Sequence, residues 1–343
     1  MNTTALRLMP VALAATLAAG PALAQSKGEV NLYSYREQKL IQPLLDAFTK
    51  ETGIKVNVVT ASRGLDQRMK SEGAQSPADV LMTVDIGRLQ DAVEAGVTQS
   101  IKSATLEKVI PPQYHGADGQ WYGIAARARV VYASKDRVKQ DKITYEELAD
   151  PKWKGKICIR SGQHMYNNAL FAHVIAKHGE KKAEEWLRGL KANLAQRPSG
   201  GDRETARDIA AGTCDIGIAN TYYWALMNDR VAKQKPWADA TRVILPTFEG
   251  EGGGTHVNIT GVVLAKHAPN KDNAMKFIEW MVTPQAQEMY ANSTFEYPLR
   301  EGVEISKTIA SFGPLKPDSI TLAEVAKHKK AAATLVDKVG FDQ

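Results

Sequence analysis

Apolar residues in this chain fall into two alternating patterns: short β-branched blocks, and longer stretches in which every third or fourth position is apolar. Val30-Asn31-Leu32-Tyr33 predicts a strand. Leu40, Ile41, Leu44, Leu45 and Phe48 then recur at helical spacing, and Gly53 ends that helix before a strand at residues 55–59. The result is a β-α-β opening whose polar turn, after the first strand, holds Arg36 and Glu37. A helix through Leu65 and Met69, a strand at 78–84 and Asp85 at its exit continue the series.

Residues 120–124 and 128–132 read as consecutive extended segments with Arg127 between them, and the chain is expected to cross there from a first lobe to a second. A new series follows: a helix at 145–149, a strand at 156–159, a loop at 161–166, and helices at 167–178, 181–192 and 204–211, the last ended by Gly212. The apolar run 215–219 suits a buried strand ending at Asn220, and Trp224-Ala225-Leu226-Met227 favours a helix. Gly250-Glu251-Gly252-Gly253-Gly254 has the composition of a hinge for the return crossing. Beyond it lie a strand at 257–264 and helices at 273–281 and 284–290, the second opened by Pro284 behind Thr283. The alternation predicts an α/β protein without internal repeats.

Composition narrows the setting. With 343 residues, 43% hydrophobic and 24% charged, the chain has the make-up of an ordinary globular protein of about two domains. Residues 1–24 read as a secretory signal: Arg7 in a short positive head, an apolar segment from Leu8 to Ala19, then Ala22-Leu23-Ala24 before Gln25. That segment is too short to span a bilayer, so the mature protein is expected free in an exported compartment. A net charge of +6 is mild, and basic runs interleaved with aromatics are missing, which argues against nucleic acid as a partner. Lys327, Lys329 and Lys330 suit a solvated helix face better than a binding patch. Cys158 and Cys214 are the only cysteines, and in an oxidising compartment they predict a disulfide between neighbouring strands of one lobe.

Candidate chemistry centres on Tyr222-Tyr223. Two phenols stand directly after a buried strand, where open α/β sheets place their ligands, and an irregular strand-to-helix junction lets both hydroxyls reach one small target. Taken alone, the pair also fits ordinary packing, with one ring buried and one at the surface.

Six segments carry a resemblance that decides between these readings: Val30-Asn31-Leu32-Tyr33-Ser34-Tyr35-Arg36, Ser76-Pro77-Ala78-Asp79-Val80-Leu81, Arg127-Ala128-Arg129-Val130, Ser161-Gly162 through Tyr166-Asn167, Asn220-Thr221-Tyr222-Tyr223 and His256-Val257-Asn258-Ile259-Thr260-Gly261. Over nearly its whole mature length the chain resembles the periplasmic ferric-ion-binding proteins of bacterial ABC importers. Their fold is a two-lobed type II solute-binding protein with a hinge and a ligand cleft between the lobes. The resemblance implies lobes at 25–126 with 255–300 and at 127–254 with 301–343. It implies Fe3+ bound by phenolates of Tyr166, Tyr222 and Tyr223, and a synergistic carbonate held by Arg36 and Arg127, the subgroup with three tyrosines. It also implies a membrane permease as partner, a periplasmic location and a monomer.

One departure leaves the coordination open. Several relatives place a His, or a His-Tyr pair, just after the segment matching Tyr35-Arg36, whereas this chain has Glu37-Gln38. Glu37 is a candidate contact to the metal or the anion, or a cap of the following helix. His164 stands two residues before Tyr166 as a further candidate, His256 reads as hydrogen-bonded within a strand loop, Tyr33 as core, and Tyr35 as a neighbour of the site. Two other functions compete. One keeps the fold but grips an organic anion or phosphate with Arg36 and Arg127, and the other is an exported hydrolase. The hydrolase lacks a Gly-x-Ser-x-Gly elbow or a local Ser-His-Asp or paired-carboxylate signal.

Overall fold

The computed structural model describes residues 28–343, and the expected signal segment lies outside the described residues. Its first part runs β1 (Glu29–Ser34), α1 (Gln38–Thr52), β2 (Lys55–Thr60), α2 (Leu65–Glu72), β3 (Val80–Thr83), α3 (Ile86–Glu94), β4 (Thr98–Gln99) and α4 (Ala104–Val109). The middle comprises β5 (Tyr122–Ser134), β6 (Ile157–Cys158), α5 (Met165–His178), α6 (Glu180–Ala192), α7 (Asp202–Ala210), β7 (Ile216–Asn220), α8 (Thr221–Asp229), α9 (Lys235–Asp239) and β8 (Thr241–Ile244). The chain ends with β9 (Val257–Ala265), α10 (Lys271–Trp280), α11 (Pro284–Thr294), β10 (Tyr297–Pro298), α12 (Lys307–Ala310), α13 (Leu322–Lys327) and α14 (Lys329–Val339).

Helix α1 shows why the apolar spacing works. Ile41, Leu44, Leu45 and Phe48 form its buried face, and Gly53 closes it at φ 74°, a left-handed value that costs glycine little. The expected helix at 145–149 is only a short 3-10 turn, Glu146–Ala149, because Asp150 and Pro151 follow it immediately.

Where two extended segments were expected around Arg127, there is one strand. β5 is 13 residues long and buried throughout. Residues 122–128 pair antiparallel with β9, and residues 129–133 pair with β7, with β8 alongside 131–134. A single backbone therefore serves two groups of strands, in the order β2-β1-β3-β9-β5-β7-β6. Arg127 is interior to the strand because its side chain, not its backbone, is what is polar.

The glycine-rich stretch is pinned and not slack. Thr255 N donates to Lys316 O at 2.7 Å, Gly254 N donates to Asp318 Oδ2 at 3.1 Å, and a Cβ on Gly254 would stand 2.5 Å from the Pro317 backbone. Glycine here admits a close backbone neighbour. The next residue, His256, is held by His173 (Nδ1 to Nδ1, 2.8 Å), and His173 Nε2 meets Asp318 Oδ1 at 3.1 Å. Its ring partner is thus on α5 and not within its own loop. Tyr145 ties β5 to the residue just before β9, accepting from His256 N at 3.0 Å and donating to Arg129 O at 2.6 Å.

Cys158 and Cys214 form the expected disulfide, with Cα atoms 5.8 Å apart, joining the ends of the parallel neighbours β6 and β7. The lysine cluster departs from a purely solvated face. Lys327 pairs with Glu324 on its own helix, but Lys329 pairs with Asp91 and Lys330 with Glu94 at 3.3 Å, both on α3. Helix α14 itself packs on α5 and α6.

Candidate metal centre

Tyr166 lies in the first turn of α5, and Tyr222 and Tyr223 lie in the first turn of α8. Both helix N-termini bring partial positive charge to the same place, which favours anionic oxygen. The Tyr166 and Tyr222 hydroxyls are 3.1 Å apart, and the Tyr222 and Tyr223 rings lie 4.2 Å centroid to centroid. Three phenols from two distant segments thus gather at one point.

A buried polar lattice beneath them fixes that geometry. Arg129 Nη1 donates to Asp202 Oδ2 at 2.6 Å and to Asn220 Oδ1 at 3.1 Å, while Nε and Nη2 hold Asn167 Oδ1 at 3.1 and 2.7 Å. Asp202 Oδ2 also accepts from Asn220 N at 2.8 Å. Asn167 follows Tyr166, and Asn220 precedes the Tyr222 turn, so one ion pair positions both tyrosine-bearing helices. Breaking a buried pair of this kind costs about 3–5 kcal/mol. Burial opposes ionisation of Asp202, but Arg129 and Arg160 outweigh it and hold the carboxyl below its usual range.

From the other side come Arg36, at the exit of β1, and Arg127, in β5. Ser34 turns the chain there, its Oγ accepting from Arg36 N at 3.0 Å and donating to Arg36 O at 2.9 Å. Arg36 is 6% exposed and Arg127 1%, and the Arg127 guanidinium lies 5.6 Å over the Tyr166 ring. Burial pushes the Tyr222 phenol well above its ordinary value, and the neighbouring Tyr166 and Tyr223 add to the rise against Arg36 and Arg127. Tyr223 is raised for the same first cause, and next by Tyr166.

The turn that sends Arg36 inward sends its neighbour outward. Glu37 is exposed, pairs with Lys39 at 2.8 Å and makes no side-chain cap on α1, so it stands apart from the cluster. His164 does adjoin it: Nδ1 accepts from Tyr166 N at 3.3 Å and the rings lie 4.6 Å apart, edge on. Burial, then Arg160, pushes its pKa down to about 3, which keeps the imidazole neutral. Tyr33 is core, its hydroxyl donating to Glu72 at 3.1 Å. Tyr35 donates to Asp66 at 2.7 Å beside α2 and does not join the three phenols.

Sequence reasoning missed Glu296. This carboxylate is 1% exposed and accepts from Arg36 Nη2 at 2.6 Å and from Thr260 Oγ1 at 2.8 Å, with Arg127 Nη1 at 3.8 Å. Around it, Arg36 Nε, Arg127 Nη2 and the Tyr290 hydroxyl are buried without a hydrogen-bond partner. The signal was a lone acid between aromatics in Phe295-Glu296-Tyr297-Pro298.

Residues 43–316 match the family described as bacterial extracellular solute-binding protein. The chain belongs to that family. It is 42% identical over 316 residues to iron uptake protein A1 of Synechocystis, covering 91% of this chain and 87% of that protein. A solved Bordetella ferric binding protein is 56% identical and superposes with a TM-score of 0.86 over 92% of this chain and all of the other (100%). A Trichodesmium protein solved in complex with iron and citrate ligands is 43% identical, with a TM-score of 0.87 over 92% of this chain and 100% of that one. The fold of this solute-binding protein is accordingly the two-lobed type II form.

Proposed function

We propose that this solute-binding protein is the periplasmic component of a ferric-iron ABC importer, that it takes Fe3+ on the phenolate oxygens of Tyr166, Tyr222 and Tyr223, and that it delivers the ion to a membrane permease. The observation that carries the reading is the convergence of three phenols at two helix N-termini. Fe3+ is small, hard and highly charged, and three phenolates balance its charge with the oxygen donors it prefers. The names of the relatives, iron uptake and ferric binding, support the same ion.

Three phenolates leave coordination positions for a small oxyanion, which we assign to Arg36 and Arg127. The unpartnered Arg36 Nε and Arg127 Nη2 are buried donors of the kind a planar oxyanion satisfies, and carbonate fits them. The lobes are taken as 25–126 with 255–300 and 127–254 with 301–343, closing on the ion as a monomer. Residues 1–24 are the export signal.

The test is colour. Ferric ion added to chelator-free protein should raise a visible tyrosinate charge-transfer band, whereas a binder of phosphate or an organic anion through the two arginines stays colourless. Tyr222→Phe and Tyr223→Phe should each lower iron retention against a competing chelator by more than about 100-fold, beyond the loss typical of outer-shell changes. Unchanged retention in both variants would sink the phenolate site.

A further inference from the structure

We propose that the buried His173–His256 pair is an acid-operated lock, which holds the helix bearing Tyr166 to the return crossing at neutral pH and lets go cooperatively as protons are added. The inference concerns the framework and not the ion, and its main readout is taken on ion-free protein. His173 lies on α5, about two turns after Tyr166, and His256 stands one residue before β9, the strand between β3 and β5. The other main packing partners of α5 are α6, α13 and α14. The imidazole contact therefore ties the Tyr166 helix to the crossing strand.

The two Nδ1 atoms are 2.8 Å apart, a gap with room for one hydrogen. His173 Nε2 meets Asp318 Oδ1 at 3.1 Å, and the same carboxylate accepts from Lys177 Nζ at 2.9 Å, Gly254 N at 3.1 Å and Ile320 N at 3.0 Å. Burial opposes ionisation of Asp318, but its bonds from His173, Ile320 N and Lys177 hold it well below the usual carboxylate range, so it stays charged. A carboxylate only accepts, so His173 donates from Nε2, and its Nδ1 accepts from His256 in the neutral pair. One added proton leaves that bond intact. A second sets two N–H groups face to face, and the bond is lost.

The surroundings resist both protons. Burial pushes His256 well below its ordinary value, with His173, Arg129 and Arg127 adding to the fall and Asp318 opposing it. Burial also lowers His173; Asp318 opposes that shift, whereas Lys177 and His178, itself bonded to Glu146 at 2.6 Å, reinforce it. Tyr145 accepts from His256 N, and the Phe248 ring covers His173 at 4.5 Å. Unlocking exposes the rings, which then titrate near about pH 6.5. Values lowered in the locked form give stability that is fully present above that pH and is lost as pH falls through the locked-form values. The locked form binds neither proton and the unlocked form binds both, so the unlocked-to-locked ratio rises by up to about 100-fold per pH unit.

Hydrogen exchange reads the ratio directly, because the amides of Gly254, His256 and Ile320 are bonded within the lock. In ion-free protein, corrected for intrinsic exchange, their opening should steepen towards a two-proton slope between about pH 7 and about pH 4.5, without a matching rise in α1. His256→Asn, whose amide stands in for Nδ1 and takes no proton, should cut the slope to one proton, about tenfold per pH unit. Chelator-driven iron release should likewise depend less steeply on pH in that variant. Equal slopes in parent and His256→Asn overturn the proposal. So does a parent protein whose imidazole nitrogen resonances show both rings doubly protonated while these amides stay protected, a result that needs no variant to fold. A protein without the ferric band but with the two-proton slope would keep the lock and lose the iron reading. A coloured protein without that slope would do the reverse.

Discussion

Each phenol here faces conflicting demands. Burial and its neighbours keep Tyr222 and Tyr223 protonated at neutral pH in the ion-free protein, while the two arginines favour the charged form without overcoming burial. Iron must therefore displace protons, and we expect at least two released per Fe3+ in a weakly buffered titration, with affinity falling as pH is lowered. The sign for stability is the opposite. Folded-state values raised above the unfolded value of about 10 contribute stability below that pH and lose it above, so the ion-free protein should melt earlier on the alkaline side and iron should reverse the loss. Tyr222, Tyr223 and Arg36 were legible as candidates because each stands at a strand exit, and Arg127 because it interrupts an apolar extended run, whereas Tyr166 was reached through the family resemblance alone. Glu296 was not, since its role depends on a left-handed turn and on Arg36 more than 250 residues away.

Helices and strands of strong period were readable to within a few residues, as α1, α5 and α6 show. Failures came where tertiary pairing outweighed local signal. Arg127 divides the apolar pattern of β5, yet ladder hydrogen bonds on both sides carry the strand straight through. The tetraglycine-like turn looked free because composition does not reveal the Pro317 backbone lying against it. The disulfide was legible from count and compartment alone. It closes a loop of 56 residues, so Cys158→Ser with Cys214→Ser should lower unfolding free energy by about 4 kcal/mol on the chain-entropy model, read by denaturant midpoint. No change in midpoint would show that β6 and β7 are held by their packing alone.

Across the whole molecule, the C-terminal helices link α3 to α5 through Lys329 with Asp91 and Lys330 with Glu94. Partly exposed pairs are worth up to about 1 kcal/mol each, so Lys329→Ala with Lys330→Ala should weaken iron retention by roughly fivefold and raise the radius of gyration of the ion-free protein. Added salt should reproduce much of that effect in the parent protein, and salt-independent retention would assign the link no part in closure. The strand order has a further consequence for biogenesis. β9 lies between β3 and β5, so the sheet that carries Arg36 has a gap at its centre until residue 265 has been made. A nascent chain stopped short of that residue lacks the full strand that joins β3 to β5. The sheet therefore stays open for most of the chain's synthesis.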